Sequence, residues 1–512
     1  MSDSKKPAAA RKTPAAKKPV SKKPAGKKPP AKAAPVAKAP QGLRGFLLRH
    51  KVAVRRVAAF TAILLAISYL LAVYSAFTTS LIPGKYIGLG FLISFAVTTG
   101  LVYLLIKQSV RLKYLVIAFA LAIAGLFINI GIFTAGVIAN SFISSLEQSA
   151  VSYEEYNIVA LKKNGIKLGT ANQTIGVLNA DDSNDVQKAI AAETPAKVTP
   201  IATPTESYLA LQNGTTQMAL YTTAYMRALQ EVNNNEMYQQ LEILATIKVE
   251  AKAKQASADV TKPFAIYVSG IDTYGAVSKT SRSDVNIIIA VNPTTHKILL
   301  VNTPRDYYVQ LHGTTGVKDK LTHAGIYGVD TSVKTLEDLY GIDINYNVRI
   351  NFTSLERVVD QIGGVDVQSE QNFSSGGVRF VAGTNHLNGK QALAFSRERY
   401  SFEGGDRTRG QNQMKVITAI IEKMSEPSMV LQANGILSAV SGVFETNMPT
   451  SDITKLIRGQ LDSVAKWTVT STSVDGSGGS EPTYSMGAQR LYVMIPNEAS
   501  LQSARQQLQN AL

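Results

Sequence analysis

Three uninterrupted apolar stretches constrain this chain more than any other feature: residues 57–77, 86–106 and 114–138 carry no charged side chain. Each is close to the ~20 residues a helix needs to cross a bilayer, and a helix satisfies its own backbone hydrogen bonds inside lipid. We therefore expect three spanning helices over 54–140. A cleaved leader fits poorly, because a long basic segment precedes the first stretch and two more spans follow it. Arg55 and Arg56 flank the first span, Lys107, Arg111 and Lys113 lie between the second and third, and Lys85 alone sits in the other turn. Basic flanks stay in the cytoplasm. The expectation is a multi-pass membrane protein with a cytoplasmic N-terminus and everything after about Ser141 outside.

The formal charge of +16 invites a nucleic-acid reading, so its location matters. Residues 1–56 hold 17 of the 53 Lys and Arg and one of the 37 acidic residues, Asp3; the remainder, 36 of each sign, is balanced. Residues 5–39 are almost wholly Lys, Ala and Pro, too poor in apolar surface to offset the entropy of ordering, so 1–53 reads as a disordered tail. It sits beside a membrane segment, where each basic residue gains ~1 kcal/mol from anionic headgroups. With no base-reading aromatics or folded motif in the tail, nucleic acid is set aside as a partner. The absence of cysteine excludes disulfides and thiolate chemistry.

After the spans the texture changes twice. Residues 156–249 mix short strands (156–161, 174–178) with helical stretches (186–191, 218–230), which predicts a small α/β accessory domain over 141–255. A Lys- and Ala-rich piece, 251–259, leads to Pro263, and from there β-branched runs at 264–270, 285–291 and 297–302 alternate with helical periodicity at 332–340, 355–362 and 413–424. Strands follow at 467–474 and 491–495, with a Gly-rich loop at 476–479. This predicts a larger α/β sandwich with a central mixed sheet over 256–512.

Five scattered His, no Cys, no serine-hydrolase elbow and no phosphate-binding GxxxxGK[ST] loop leave few standard catalytic patterns. What remains is Arg and Asp at strand ends: Gly270-Ile271-Asp272, Ser281-Arg282-Ser283-Asp284 and Thr303-Pro304-Arg305-Asp306. Singly, these read as turn residues and surface ion pairs. Together, if the strand ends converge, Asp272 and Asp284 could hold a hard divalent cation while Arg282 and Arg305 face the anion it bridges. A second cluster, Arg397-Glu398-Arg399, Gly404-Gly405-Asp406-Arg407-Thr408-Arg409 and Asn412-Gln413, places two Arg on an extended segment before a helix N-terminus at about 409–413, whose backbone donors suit phosphate. Guanidinium groups grip phosphate oxygens in pairs, which lysine cannot do.

These motifs in this order, with Lys320 and His323-Ala324 between them, resemble the LytR-CpsA-Psr family over roughly 264–424, and the three-span anchor with an accessory domain resembles its capsule-associated branch. The resemblance implies an extracytoplasmic phosphotransferase that moves a glycopolymer, expected to be capsular polysaccharide, from an undecaprenyl-pyrophosphate carrier to peptidoglycan as a phosphodiester, with pyrophosphatase as a side activity. It implies Mg²⁺, or Mn²⁺ in its place, on Asp272 and Asp284. The pyrophosphate would lie on Arg282, Arg305, Arg397, Arg399, Arg409 and Gln413, with Arg305, Asp284 and Asp306 in the catalytic group and Asp306 assisting the attacking hydroxyl. Capsule-synthesis membrane proteins are further candidate partners. Phosphoryl transfer asks mainly for positioning and charge neutralisation, so the lack of a covalent nucleophile is no obstacle. The sequence departs from the family pattern before His323, where an Asn is usual, and in the extra Arg407. The competing reading is a membrane regulator that binds polyprenyl phosphate lipid without catalysis.

Overall fold

The computed structural model describes residues 50–78, 84–107, 112–148, 151–181, 183–232, 235–252, 256–271, 281–426, 428–429, 444–463 and 465–512. The basic tail up to residue 49 therefore lies outside the described residues. Helices α1 (Lys51–Thr78), α2 (Gly84–Ile106) and α3 (Leu112–Gln148) contain the three apolar stretches, and all three are long and apolar enough to cross a membrane. Polar contacts fix their pairing: Asn129 Nδ2 donates to Ser68 Oγ at 3.1 Å, Ser75 Oγ to the Phe133 carbonyl at 3.2 Å, and Tyr69 Oη to the Phe91 carbonyl at 3.0 Å. Among lipid tails, which offer no hydrophobic drive between helices, such bonds and close packing hold a bundle together.

The accessory region is a five-stranded sheet in the order β3-β2-β4-β1-β5, built from β1 (Val151–Leu161), β2 (Thr174–Leu178), β3 (Lys197–Ile201), β4 (Met218–Thr222) and β5 (Leu241–Lys252). Helices α4 (Asn184–Glu193), α5 (Pro204–Gln212) and α6 (Thr223–Glu231) connect them. The helix expected over 218–230 is a strand followed by a helix. Met218 to Thr222 are buried at every position, so they read as apolar in either period, and Thr222 caps α6 by accepting from the Tyr225 N–H at 3.0 Å. One face of the sheet has a core of its own around Ile158, Val177, Ile190 and Leu220, whereas on the other Val159, Tyr221, Tyr225 and Leu229 share one cluster with Ile326 and Met486 of the following domain.

That following domain is organised by a six-stranded mixed sheet. Its strands are β6 (Phe264–Gly270), β7 (Val285–Asn292), β8 (Lys297–Asn302), β9 (Tyr346–Ile350), β10 (Phe444–Thr446) and β11 (Thr468–Ser473), in the order β10-β9-β6-β7-β8-β11. β7 is antiparallel to both β6 and β8, while β9 runs parallel to β6 and β11 parallel to β8. Ile288, Ala290, Leu299 and Val301 face one layer with α7 (Val329–Tyr340) and the C-terminal helix Glu498–Ala511; Ile287, Ile289, Val291, Ile298 and Leu300 face the other with Met414 and Leu456. Two covered faces explain why these strands are continuous apolar runs rather than alternating ones.

The Gly-rich segment expected as a loop at 476–479 is instead a strand, Gly476–Thr483, paired antiparallel with Gly487–Pro496. Its Gly and Ser residues hide strand character because the ribbon's apolar contacts with the core come from the partner strand, through Leu491, Val493 and Met494.

Candidate functional site

Topology alone gathers the motifs. Because β7 opposes its neighbours, the C-terminal ends of β6, β8 and β9 and the N-terminal end of β7 lie at one edge: Gly270 stands opposite Val285 and beside Ile350, and Asn302 stands opposite Ile287. The loops leaving this edge carry Asp284, Arg305 and Asn351. Asn351 starts α8 (Phe352–Gln361) through a capping box in which it accepts from the Ser354 N–H at 3.0 Å.

The other wall comes from α9 (Gly389–Arg397) and α10 (Asp406–Met424), which pack with α8 around Val359, Phe395, Val416 and Ala419. Gly410 lets α10 approach the sheet, since a Cβ there would stand 2.5 Å from Asn302 Nδ2. Between the walls is a cleft of about 670 Å³. Arg305, Arg397, Arg399, Arg409 and Lys390 face it with Asp284, Glu356 and Glu398, and Ile271, Ile350, Phe352, Leu355, Leu393 and Val416 supply apolar lining.

Arg305 is held from two sides. Its Nη1 donates to Asp284 Oδ1 at 2.8 Å, and its Nε lies 3.6 Å from Asp306 Oδ2. Asp284 Oδ1 also accepts from Thr322 Oγ1 at 3.3 Å, and Asp306 pairs with Lys320. Behind this chain Asp319 is fully buried, against His323 Nδ1 at 2.6 Å and the Ser485 N–H at 2.8 Å, and it accepts from the Lys320 N–H at 2.7 Å. His323 therefore braces the segment bearing Lys320 and stands outside the cleft lining. A buried carboxylate needs such full satisfaction.

Arg397 lies over the Phe352 ring at 4.2 Å from its centroid, a cation–π contact that orients the guanidinium, and Arg399 lies over Tyr400 at 4.6 Å. Burial pushes the Glu398 carboxyl up, but hydrogen bonds from Ser401 and Ser375 outweigh it and hold the group below its usual range, so it stays ionised among the Arg side chains.

Six expected residues meet at the cleft: Asp284, Arg305, Arg397, Arg399, Arg409 and Gln413. Two do not line it, Arg282, which pairs with Glu231, and Asp306, which is buried against Lys320. Asp272 lies outside the described residues. Arg407 turns away to Asp475 at 3.1 Å.

Two details of the second cluster are corrected. Arg397 ends a helix instead of standing on an extended segment, and the helix after it opens at Asp406, before the expected 409–413. The Arg409 N–H is accordingly used within the helix, on the Gly405 carbonyl at 3.1 Å, so Arg409 contributes its side chain to the cleft; Gln413, one turn on, shares that face. Sequence reasoning passed over Lys390, Phe352 and Glu356. The Asn351-to-Ser354 cap was the one signal placing that helix start at the sheet edge.

For a cation, no group of three or more His, Cys, Asp or Glu suited to a metal occurs among the described residues. Among the described residues of the sheet-side wall, Asp284 supplies the carboxylate. That fits Mg²⁺, which is usually held by one or two carboxylates together with substrate phosphate oxygens and water.

An α/β/α domain whose sheet edge opens into an arginine-walled cleft with an apolar lining has the chemistry to receive an amphiphilic anion. The LytR_cpsA_psr family model matches residues 223–510, more than half of the chain, and the protein belongs to that family. Its match begins at the first residue of α6, upstream of the boundary that composition suggested.

Among similar proteins, a polyisoprenyl-teichoic acid–peptidoglycan teichoic acid transferase of Enterococcus faecalis is 36% identical over 209 residues, 40% of this chain and 68% of that protein. One of Bacillus cereus is 35% identical over 189 residues, 37% of this chain and 61% of that protein. Of solved structures, TagV of B. subtilis matches with a TM-score of 0.43 at 30% identity, covering 49% of this chain and 98% of that one. TagT bound to LIIa-WTA matches with 0.41 at 30%, covering 51% and 98%.

Proposed function

We propose that this protein is an extracytoplasmic phosphotransferase that attaches a glycopolymer from a polyprenyl-pyrophosphate carrier to peptidoglycan. The observation that carries this reading is the juxtaposition, in one cleft, of four Arg side chains with an apolar lining large enough for part of a prenyl chain. The relatives named above, transferases of teichoic acid to peptidoglycan, support the reaction class. The capsule polymer remains the proposed cargo on the ground of the three-span anchor and accessory region.

In this mechanism Arg397, Arg399, Arg409 and Gln413 hold the diphosphate from the helical wall while Arg305 approaches from the sheet wall. An acceptor sugar hydroxyl attacks the phosphorus that bears the glycan. The new P–O bond forms as the bond to the bridging oxygen breaks, polyprenyl phosphate leaves, and the hydroxyl proton passes to the departing phosphate, while Asp284 holds Arg305 in place. Asp306 positions Arg305 through its pairing with Lys320. Mg²⁺, or Mn²⁺, bound at Asp284 and Asp272 would neutralise charge on the phosphates. The three helices anchor the cleft at the outer face of the membrane, with the N-terminus in the cytoplasm. The test is transfer of a lipid-pyrophosphate-linked oligosaccharide to peptidoglycan fragments; binding of the lipid with no transfer by the intact protein would favour the regulatory reading.

A further inference from the structure

We propose that Glu231, the last residue of α6, is a positioning residue for the cleft: it holds the Arg282 guanidinium away from the diphosphate position and so sets how readily that cation joins the anion. This rests on the transferase reading above.

The backbone around Arg282 is firmly seated. The N–H of Ser283 donates to the Thr322 carbonyl at 3.2 Å, and Ser283 Oγ, buried, lies 2.8 Å from Ser269 Oγ and 2.9 Å from Tyr267 Oη. Gly325 closes over the same turn, since a Cβ there would stand 2.5 Å from the Ser281 carbonyl and 2.8 Å from the Ser283 nitrogen. What remains adjustable is the Arg282 side chain, which starts two residues before the cleft residue Asp284. In this structure its Nη2 pairs with Glu231 and it does not line the cleft.

The helix that carries Glu231 is fixed in turn. Thr222 Oγ1 donates to the Ile326 carbonyl at 3.3 Å and Tyr225 Oη to the Ser485 carbonyl at 2.8 Å, which pins α6 to the cleft domain. An anion at a helix C-terminus is unfavourable against the helix dipole unless a cation answers it, and Arg282 does. The pair is partly open, with 30% of the Arg282 and 53% of the Glu231 side chain exposed. It is therefore weak, and a doubly charged diphosphate can outcompete it.

The experiment measures binding of farnesyl diphosphate to the full chain in detergent by calorimetry, with Glu231→Gln, Arg282→Gln, the double variant and Arg305→Ala, beside the unfolding midpoint of each. Glu231→Gln is expected to tighten binding by roughly two- to five-fold at low salt, less at high salt. The gain should vanish in the Arg282→Gln background. Glu231→Lys, which repels Arg282 from α6, should tighten binding at least as much. Unchanged or weaker binding in Glu231→Gln, or an equal gain without Arg282, overturns the inference. If Arg305→Ala also leaves binding unchanged, the diphosphate reading of the cleft itself has failed; if only the Glu231 variants are silent, this inference alone has.

Discussion

Arg305 and Asp284 face each other across adjacent strands, with Nη1 2.8 Å from Oδ1, and the pair stands on the sheet-side wall of the cleft. The carboxylate fixes the direction in which the guanidinium is held at the cleft wall, a charge-assisted contact of the strong kind. Arg305→Ala is expected to lower the transfer rate by roughly 10²- to 10³-fold, as removal of one preorganised donor to a developing charge does. Arg305→Lys, which keeps the charge and loses the fork, should fall between, as measured by initial rates at saturating lipid substrate.

Arg397 is oriented by the Phe352 face at 4.2 Å. Arg397→Ala removes a charged contact in the cleft and should weaken diphosphate binding by about 2 kcal/mol or more. Phe352→Ala keeps the charge and loses its support, so about 0.5–1 kcal/mol is expected. Equal losses in the two variants, by calorimetry, would mean that the ring rather than the charge carries binding.

Much of this site was legible in the sequence because its residues sit at the ends of strands with strong apolar patterns: Asp284 before 285–292 and Arg305 after 297–302 needed only converging strand ends. The second cluster was legible as chemistry and misread as geometry. Glycines at 404 and 405 suggested a loop running on to 409, whereas α10 begins at Asp406 and spends the Arg409 N–H internally. Long-range pairing was invisible: nothing local to Arg282 points to Glu231, and nothing local to Lys320 points to Asp306. The strand at 218–222 was lost because full burial erases the period that separates strand from helix.

Two glycines in helices should respond oppositely to alanine. At Gly410 the new Cβ meets Asn302 at 2.5 Å, so Gly410→Ala should destabilise by about 1–3 kcal/mol through overpacking. At Gly459, in the helix Thr450–Ser463, where nothing lies within 4 Å of the added Cβ, the same change should stabilise by about 0.4–1 kcal/mol through the unfolded state. Denaturant midpoints of the two variants against the parent decide this.

Burial pushes the Asp181 carboxyl up to about 7, and the negative charge of Glu154 adds to the shift. The folded state therefore favours the neutral acid. Its contribution is complete below the unfolded value of about 4 and is lost as pH rises through about 7. Asp181→Asn, which mimics the neutral form, should gain stability relative to the parent between pH 5 and pH 8. A gap between the two unfolding midpoints that stays constant over that range would contradict the assignment.

The most direct test of the central claim is transfer of a short polyprenyl-pyrophosphate-linked oligosaccharide to peptidoglycan fragments by the full chain in detergent, with Mg²⁺ or with chelator, beside Arg305→Ala. The account predicts a phosphodiester-linked product that requires the cation and falls at least a hundredfold in the variant, by roughly the loss of one preorganised donor. Lipid substrate bound by the intact protein with no product under either condition would contradict it.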